Sequence, residues 1–229
     1  MSVRVGGSQV PPAVRPVVGS AAEFAEYGHY ASFSAGTVIS SSRDAEPFYE
    51  LVLSGVVKSC LVTPTNRTYY TGLQFEGQLV PPPASANDQF SFLEAATAAV
   101  SLFRFSQQNL DRMLAEQDSA RRLLPRLMAA ELACSRSWVS LLGRRTVEEK
   151  LAGFLRLLAE HTGDQCETSG ATIVEIPLSR GQTADFLGIT PESISRGVTA
   201  LRRTGVIRLR DMRNFEILKP ERLAQLAGE

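Results

Sequence analysis

The sequence predicts an α+β chain: a β-rich half, a long helical segment, and a helix–turn–helix backed by a β-hairpin. Three observations carry this. Residues 21–106 hold short strand-like runs broken by Gly, Pro and Asn. Residues 107–143 repeat their apolar positions every four and three residues. Residues 177–217 read PLSRGQTADFLGITPESISRGVTALRRTGVIRLRDMRNFEI, which parses as helix, tight turn at Gly188, helix and hairpin.

The bulk numbers bound the answer before any motif is read. A chain of 229 residues holds one or two domains and buries a real core. The formal net charge is zero, so any basic surface must arise from local segregation. No apolar run reaches the ~18 residues of a membrane span, so no membrane partner is expected. The start, MSVRVGGSQVPPAVRPVVGS, lacks a continuous apolar block, and residues 1–20 are expected to form an arm rather than a secretory signal. Three scattered cysteines fit a reducing cytoplasm better than a disulfide framework.

Within 21–106 the runs 48–53, 55–62, 68–75 and 100–105 read as strands, and Pro81-Pro82-Pro83 as a loop. Many short strands argue for a sandwich or barrel. In the helical segment Met113, Gln117, Ala120, Leu124, Leu127, Glu131, Cys134, Trp138 and Leu141 form a heptad-like seam. The segment is long and separates two differently composed halves, so the seam is read as a dimer interface, with Glu131 a polar break that sets register. The competing reading is a helix packed on its own domain. Pro125 should kink the helix or mark its start.

Thr146 and Glu149 form a capping box that opens a new helix to about His161, with Val147, Leu151, Phe154, Leu155 and Leu158 on one face. His161 is read as a cation favoured by the helix C-terminus. Residues 163–170 are a polar loop, Thr172–Ile176 a strand, and Pro220–Ala227 a small amphipathic helix. The domain boundary is placed near residue 145, which gives an arm (1–20), a β domain (21–106), a dimerisation helix (107–144) and a C-terminal domain (145–229).

In the helix–turn–helix, Ala184 is small where two helices cross and Gly188 supplies a left-handed turn. Thr190 is an N-cap and Pro191 sits at the first helical position. Ile194, Val198 and Leu201 should face the core, which leaves Glu192, Ser195, Arg196 and Thr199 outward with Ser193 beside them. Arg pairs with guanine O6 and N7, Glu accepts from cytosine N4, and Ser bonds either way, so Glu192, Ser195 and Arg196 are candidate base readers in double-stranded DNA. The bland alternative is an exposed i,i+4 salt bridge between Glu192 and Arg196. Between 177 and 213 seven arginines face three carboxylates, a local net charge of +4. Arg180, Thr190, Ser193, Thr199, Arg202, Arg203, Arg208 and Arg213 are therefore candidate phosphate contacts. For Arg208 and Arg213 singly, a solvated hairpin charge is the even alternative.

On these residues the chain resembles the Crp/Fnr superfamily of bacterial transcription regulators. Glu192-Ser193-Ile194-Ser195-Arg196 matches the E-x-x-S-R recognition pattern of its Fnr and FixK-like branch. Gly55-Val56-Val57-Lys58 and the run from Gly72 to Gly77 look like its sensor strands, and the run from Leu223 to Gly228 like an Fnr-type terminus. The resemblance implies an N-terminal β-roll of cupin or jelly-roll type, a long dimerisation helix and a C-terminal winged helix–turn–helix. It also implies a homodimer reading a TTGA-N6-TCAA-like palindrome, activation through RNA polymerase, and control of microaerobic, nitrogen-fixation or denitrification genes.

The departures shape the mechanism. An iron–sulfur cluster needs four thiolates, and this chain has only Cys60, Cys134 and Cys166. Residues 68–103 contain no Arg or Lys, so a buried cyclic-nucleotide phosphate would lack a cation. No cofactor is expected. A heme is the alternative, with His29 the one sensor-half histidine to ligate it; the bland reading of His29 is a surface or turn histidine. Cys166 is a redox candidate, with an inert cysteine as the bland reading, and Cys134 a packing residue. The rival function is a signalling module whose DNA binding needs heme, a gas or a small apolar ligand. No nucleophile–base pair, metal-ligand cluster or Gly-rich phosphate loop suggests an enzyme.

Overall fold

A computed structural model describes residues 24–84, 89–165 and 171–228. The 1–20 arm and Cys166 lie outside the described residues. A 3-10 turn (Ala25–Tyr27) leads into eight strands: β1 (His29–Ser34), β2 (Val38–Ser41), β3 (Phe48–Ser54), β4 (Val57–Val62), β5 (Thr68–Gln74), β6 (Leu79–Val80), β7 (Phe90–Ala95) and β8 (Ala99–Ser106). They form two four-stranded antiparallel sheets, ordered β1-β8-β3-β6 and β2-β7-β4-β5. Ile39, Val57, Leu93 and Ala95 from one sheet meet Val52, Val80, Val100 and Leu102 from the other, so the core is the interior of a sandwich. The chain alternates between the sheets at every step but the β4–β5 hairpin, and this order gives the expected roll.

Each sheet carries a cross-strand ion pair. Glu50 on β3 lies opposite Arg104 on β8, 2.9 Å away, and Lys58 on β4 opposite Glu94 on β7, at 2.7 Å. Burial pushes the Glu50 carboxyl up, and the Arg104 guanidinium opposes the shift. Gly55 turns β3 into β4 at φ 83°, where a Cβ would lie 2.4 Å from the Ala99 carbonyl oxygen. Both the left-handed backbone and the close approach demand glycine there.

The helical segment expected to run unbroken is two helices, α1 (Gln107–Glu116) and α2 (Asp118–Leu142). Gln117 is extended at φ −117°, ψ 110°. Its side-chain amide donates to the Tyr27 hydroxyl, which itself donates to Glu116 at 2.7 Å, and Asp118 restarts the helix with an acidic first turn. Pro125 neither starts nor ends α2; it lies inside it.

The expected dimer seam is corrected by its burial. Leu127, Cys134, Trp138 and Leu141 are each buried in the single chain. Leu124 and Leu127 close over Leu51, Leu79, Phe103 and Phe105 of the sandwich. Trp138 packs edge-on against Phe186 at 5.2 Å and lies 6.3 Å from Phe154. Glu131 is half-buried, its Oε2 is a buried oxygen without a hydrogen-bond partner among the described residues, and burial raises its carboxyl pKa. The seam is thus the face with which α2 packs on its own chain. The apolar residues left in solvent are one position on: Met128 (56 % exposed), Leu132 (50 %), Val139 (71 %) and Leu142 (43 %). With Ser135 they too recur at spacings of four and three.

Contacts divide the described residues into two units, 24–137 and 138–228. The second contains α3 (Val147–Thr162), β9 (Asp164–Gln165), β10 (Thr172–Glu175), α4 (Arg180–Leu187), α5 (Pro191–Arg203), β11 (Ile207–Leu209), β12 (Asn214–Ile217) and α6 (Pro220–Leu226). The Thr146–Glu149 capping box is present and Leu151, Phe154, Leu155 and Leu158 are buried. At His161 burial works against the expected cation, pushing its pKa below the usual imidazole value. No helix among the described residues is long and apolar enough to cross a membrane.

Candidate nucleic-acid interface

The helix–turn–helix is assembled from local rules. Ser179 and Gln182 form a second capping box that starts α4. Thr183, Ala184, Phe186 and Leu187 are buried. Gly188 adopts φ 63°, ψ 42°, and its N–H closes the turn on the Ala184 and Asp185 carbonyls. Thr190 then caps α5 by accepting from the Ser193 N–H at 3.2 Å, with Pro191 at the first helical position.

The sequence reading missed two supports. Gly197 is buried where α5 meets α3: a Cβ there would sit 3.0 Å from Leu151 Cδ2. Its place on the Ile194–Leu201 stripe is the signal that could have found it. Lys150 on α3 donates from Nζ to the Leu187 carbonyl at 3.0 Å, bracing the turn from outside the motif. No local pattern marks that contact.

Ile194, Val198 and Leu201 turn inward, and Glu192, Arg196 and Thr199 lie exposed with Ser193 and Ser195 half-exposed. The three candidate base readers thus share one face. No ion pair joins Glu192 to Arg196 among the described residues; the Arg196 Nη2 donates to Ser193 Oγ at 3.2 Å instead. Hydrogen bonds from its own backbone N–H and from Thr190 hold the Glu192 carboxyl below its ordinary range, so it is ionised near neutrality. Ser195 Oγ donates to the Pro191 carbonyl at 3.2 Å and accepts from Arg180 Nη1 at 3.1 Å. Arg180 therefore sits beside the reading face at the start of α4. The Thr199 hydroxyl back-bonds to the Ser195 carbonyl at 2.8 Å.

Behind α5 the strands order β11-β12-β10-β9. Asp211 ties the hairpin tip by accepting from the Arg213 N–H, the Asn214 N–H and the Asn214 side-chain amide, each at 2.8 Å. These bonds hold its carboxyl below the usual range, the Arg213 N–H foremost. Arg202 and Arg203 end α5, Arg208 lies on β11 and Arg213 on the tip, all exposed. A recess of about 370 Å³ opens between α4, α5 and the tip, lined by Ser179, Arg180, Thr183, Ile194, Val198 and Arg213 among others.

A capped, exposed helix set on a buried partner helix and flanked by a β-hairpin with arginines defines a winged helix–turn–helix DNA-binding protein. A model of the Crp-like helix-turn-helix domain matches residues 149–226. A "Probable transcriptional activator" of Rhizobium leguminosarum bv. viciae is 38% identical over 192 residues, 84% of this chain and 78% of the relative. The "Nitrogen fixation regulation protein FixK" of Bradyrhizobium diazoefficiens is 32% identical over 212 residues, 90% of this chain and 85% of its own. The solved structure of FixK2 from Bradyrhizobium japonicum shares the fold, with a TM-score of 0.70 at 20% identity, covering 87% of this chain and 96% of that one. The chain belongs to the Crp/Fnr family and is of FixK-like type: a DNA-binding transcription activator, not an enzyme.

Proposed function

We propose that the protein activates transcription as a homodimer on a TTGA-N6-TCAA-like palindrome, with Glu192, Ser195 and Arg196 reading each half-site. The observation that carries this is the grouping of those three side chains on the outer face of α5, above an inner face filled by Ile194, Val198 and Leu201. Arg180, Thr190, Ser193, Thr199, Arg202, Arg203, Arg208 and Arg213 surround it as phosphate contacts. Two such helices enter successive major grooves about 34 Å apart on one side of the duplex.

The dimer contact falls to the exposed stripe of α2. Met128, Leu132, Val139 and Leu142 occupy alternating a and d positions, with Ser135 completing the pattern. The chain then divides its work as residues 21–106 for sensing, 107–144 for dimerisation and 145–229 for DNA. Likeness to nitrogen fixation regulators supports target genes of microaerobic respiration, nitrogen fixation or denitrification, in the cytoplasm, with RNA polymerase as partner.

The protein works without a bound cofactor in this reading. Support comes from the sequence: three scattered cysteines cannot supply the four thiolates of an iron–sulfur cluster, and residues 68–103 offer no cation to a nucleotide phosphate. His29 lies edge-on to Phe48 at 5.6 Å. Selection of bound duplexes from a random pool, with and without oxidant, tests the whole. Enrichment of the palindrome from ligand-free protein is expected. Enrichment of an unrelated motif refutes the base assignment, and binding only after heme or another effector is added favours the signalling-module reading. A change of binding with oxidant would assign Cys166 its redox role.

A further inference from the structure

Glu216 is an anomaly in the wing. β12 runs Asn214–Ile217 between β11 and β10, and Phe215, Glu216 and Ile217 are all buried. A carboxylate at 2 % exposure loses its hydration and is retained only where something compensates. The compensation comes across the strand pair. Arg208 is the register partner of Glu216, and its Nη1 donates to Glu216 Oε2 at 3.1 Å. Arg210 Nη2 stands 3.9 Å from the other carboxylate oxygen. The partners are unlike in exposure: the Arg208 side chain is 63 % exposed and the Glu216 side chain 3 %. The buried member is fixed by the sheet, and the exposed member is held by one nitrogen of a five-donor fork.

We infer that Glu216 is a positioning residue for DNA: it anchors Arg208 by Nη1 so that the rest of the guanidinium faces the sugar–phosphate backbone. The inference rests on Arg208 being a phosphate contact. A free arginine on a hairpin samples many rotamers, and each must be lost on binding. An arginine tethered from below has already lost them. The same carboxylate lowers the net charge of the wing, so reach and charge make opposite demands that substitution can separate.

The test uses full-length protein, a duplex selected from the random pool and a random-sequence duplex of equal length. Glu216→Asp keeps the charge and shortens the reach. It is expected to weaken both duplexes equally and to lower the salt slope by about 0.9, the share of one phosphate, so that the deficit shrinks about 3.5-fold between 50 and 200 mM salt. Glu216→Gln keeps the reach and the acceptor and is expected to bind at least as tightly as the wild type. In an Arg208→Ala background, where Arg210 is the remaining cation beside the carboxylate, Glu216→Asp should cost much less than in the wild type. Should Glu216→Asp fail to fold, Arg208→Lys replaces the fork by one nitrogen that must serve carboxylate and phosphate from the same point, and it should show a loss in the same direction. Wild-type affinity and slope in Glu216→Asp or Arg208→Lys overturn the inference, as does an equal loss from Glu216→Asp with and without Arg208. A wild type that binds neither duplex removes the DNA reading of Arg208, and this inference falls with it.

Discussion

Leu127 and Leu132 sit five residues apart on α2, and replacing each by glutamate should produce opposite failures. Leu132 is 50 % exposed in the single chain, so only about half of its surface remains for a partner to cover. Full burial of a leucine yields ~1.5–3 kcal/mol, so the half supplies ~0.8–1.5 kcal/mol per chain and about twice that per symmetric dimer. Leu132→Glu forfeits this and brings two carboxylates together, which weakens association by at least ~10–100-fold. The subunit keeps its fold because nothing in its core changes. Leu127 is 7 % exposed, packed among Phe24, Leu51, Met113 and Ala120. Losing that packing costs ~2–5 kcal/mol before the buried charge is counted, against a total stability of ~5–15 kcal/mol. The expected drop in Tm is about 10 °C or more, at ~2–4 °C per kcal/mol for a chain of this size. Sedimentation velocity and thermal melting, run on both variants, decide the matter. A folded monomer from Leu127→Glu, or a wild-type dimer from Leu132→Glu, would refute the assignment of the two faces.

Arg196→Ala should cost ~1–3 kcal/mol on the selected site and relax preference at one base; shift assays on matched and single-mismatch duplexes show this, and equal loss on random DNA contradicts it. Arg203→Ala should weaken all duplexes alike and lower the salt slope by about 0.9, read by titration from 50 to 200 mM salt, while a changed base preference argues against a phosphate role. Burial raises the folded pKa of Glu131, so its contribution to stability is fully present below the unfolded carboxylate value and is lost as pH rises through the raised one. Glu131→Gln should therefore melt above the wild type at pH 7–8, with the gap closing near pH 4; a constant gap would point to packing instead. Burial pushes the Cys60 thiol up to about 12, so it should resist maleimide at pH 8 in the folded chain, and prompt labelling at Cys60 by mass spectrometry would count against the placement of β4.

The DNA-facing half was legible because its rules are local. A capping residue, a proline at the first helical turn and a glycine in a left-handed turn each act within four residues. So Thr190, Pro191 and Gly188 could be assigned from neighbours alone. The sandwich was legible as a class, through short strands and turn residues, yet its pairing was not. Glu50 meets Arg104 and Lys58 meets Glu94 only because the roll brings distant strands together. The same holds for Lys150, which braces a turn 37 residues away. His161 shows the converse: a local rule, cation at a helix end, is opposed by burial, which depends on tertiary packing.

The misplaced seam shows most clearly where one-dimensional reading stops. Two interleaved stripes on α2 satisfy the same four–three spacing: Leu127, Glu131, Cys134, Trp138 and Leu141, and one residue later Met128, Leu132, Ser135, Val139 and Leu142. Periodicity identifies a helix with apolar faces; it does not say which face its own chain claims. Size gives a partial answer. Trp138 packs edge-on to Phe186 and tilted to Phe154 in a cluster of its own unit, which needs a deep preformed site, while a symmetric seam favours side chains that repeat without clash. Glu131 closes the argument. At the centre of a seam it would face its own copy across the two-fold axis, two carboxylates with no cation. On the inner face it is half-buried near Gln74, whose amide lowers the carboxyl pKa against the larger rise from burial. A helix with one face spent on its own domain and the next left apolar in solvent has a second copy as its simplest partner, and that arrangement is what Leu132→Glu is designed to break.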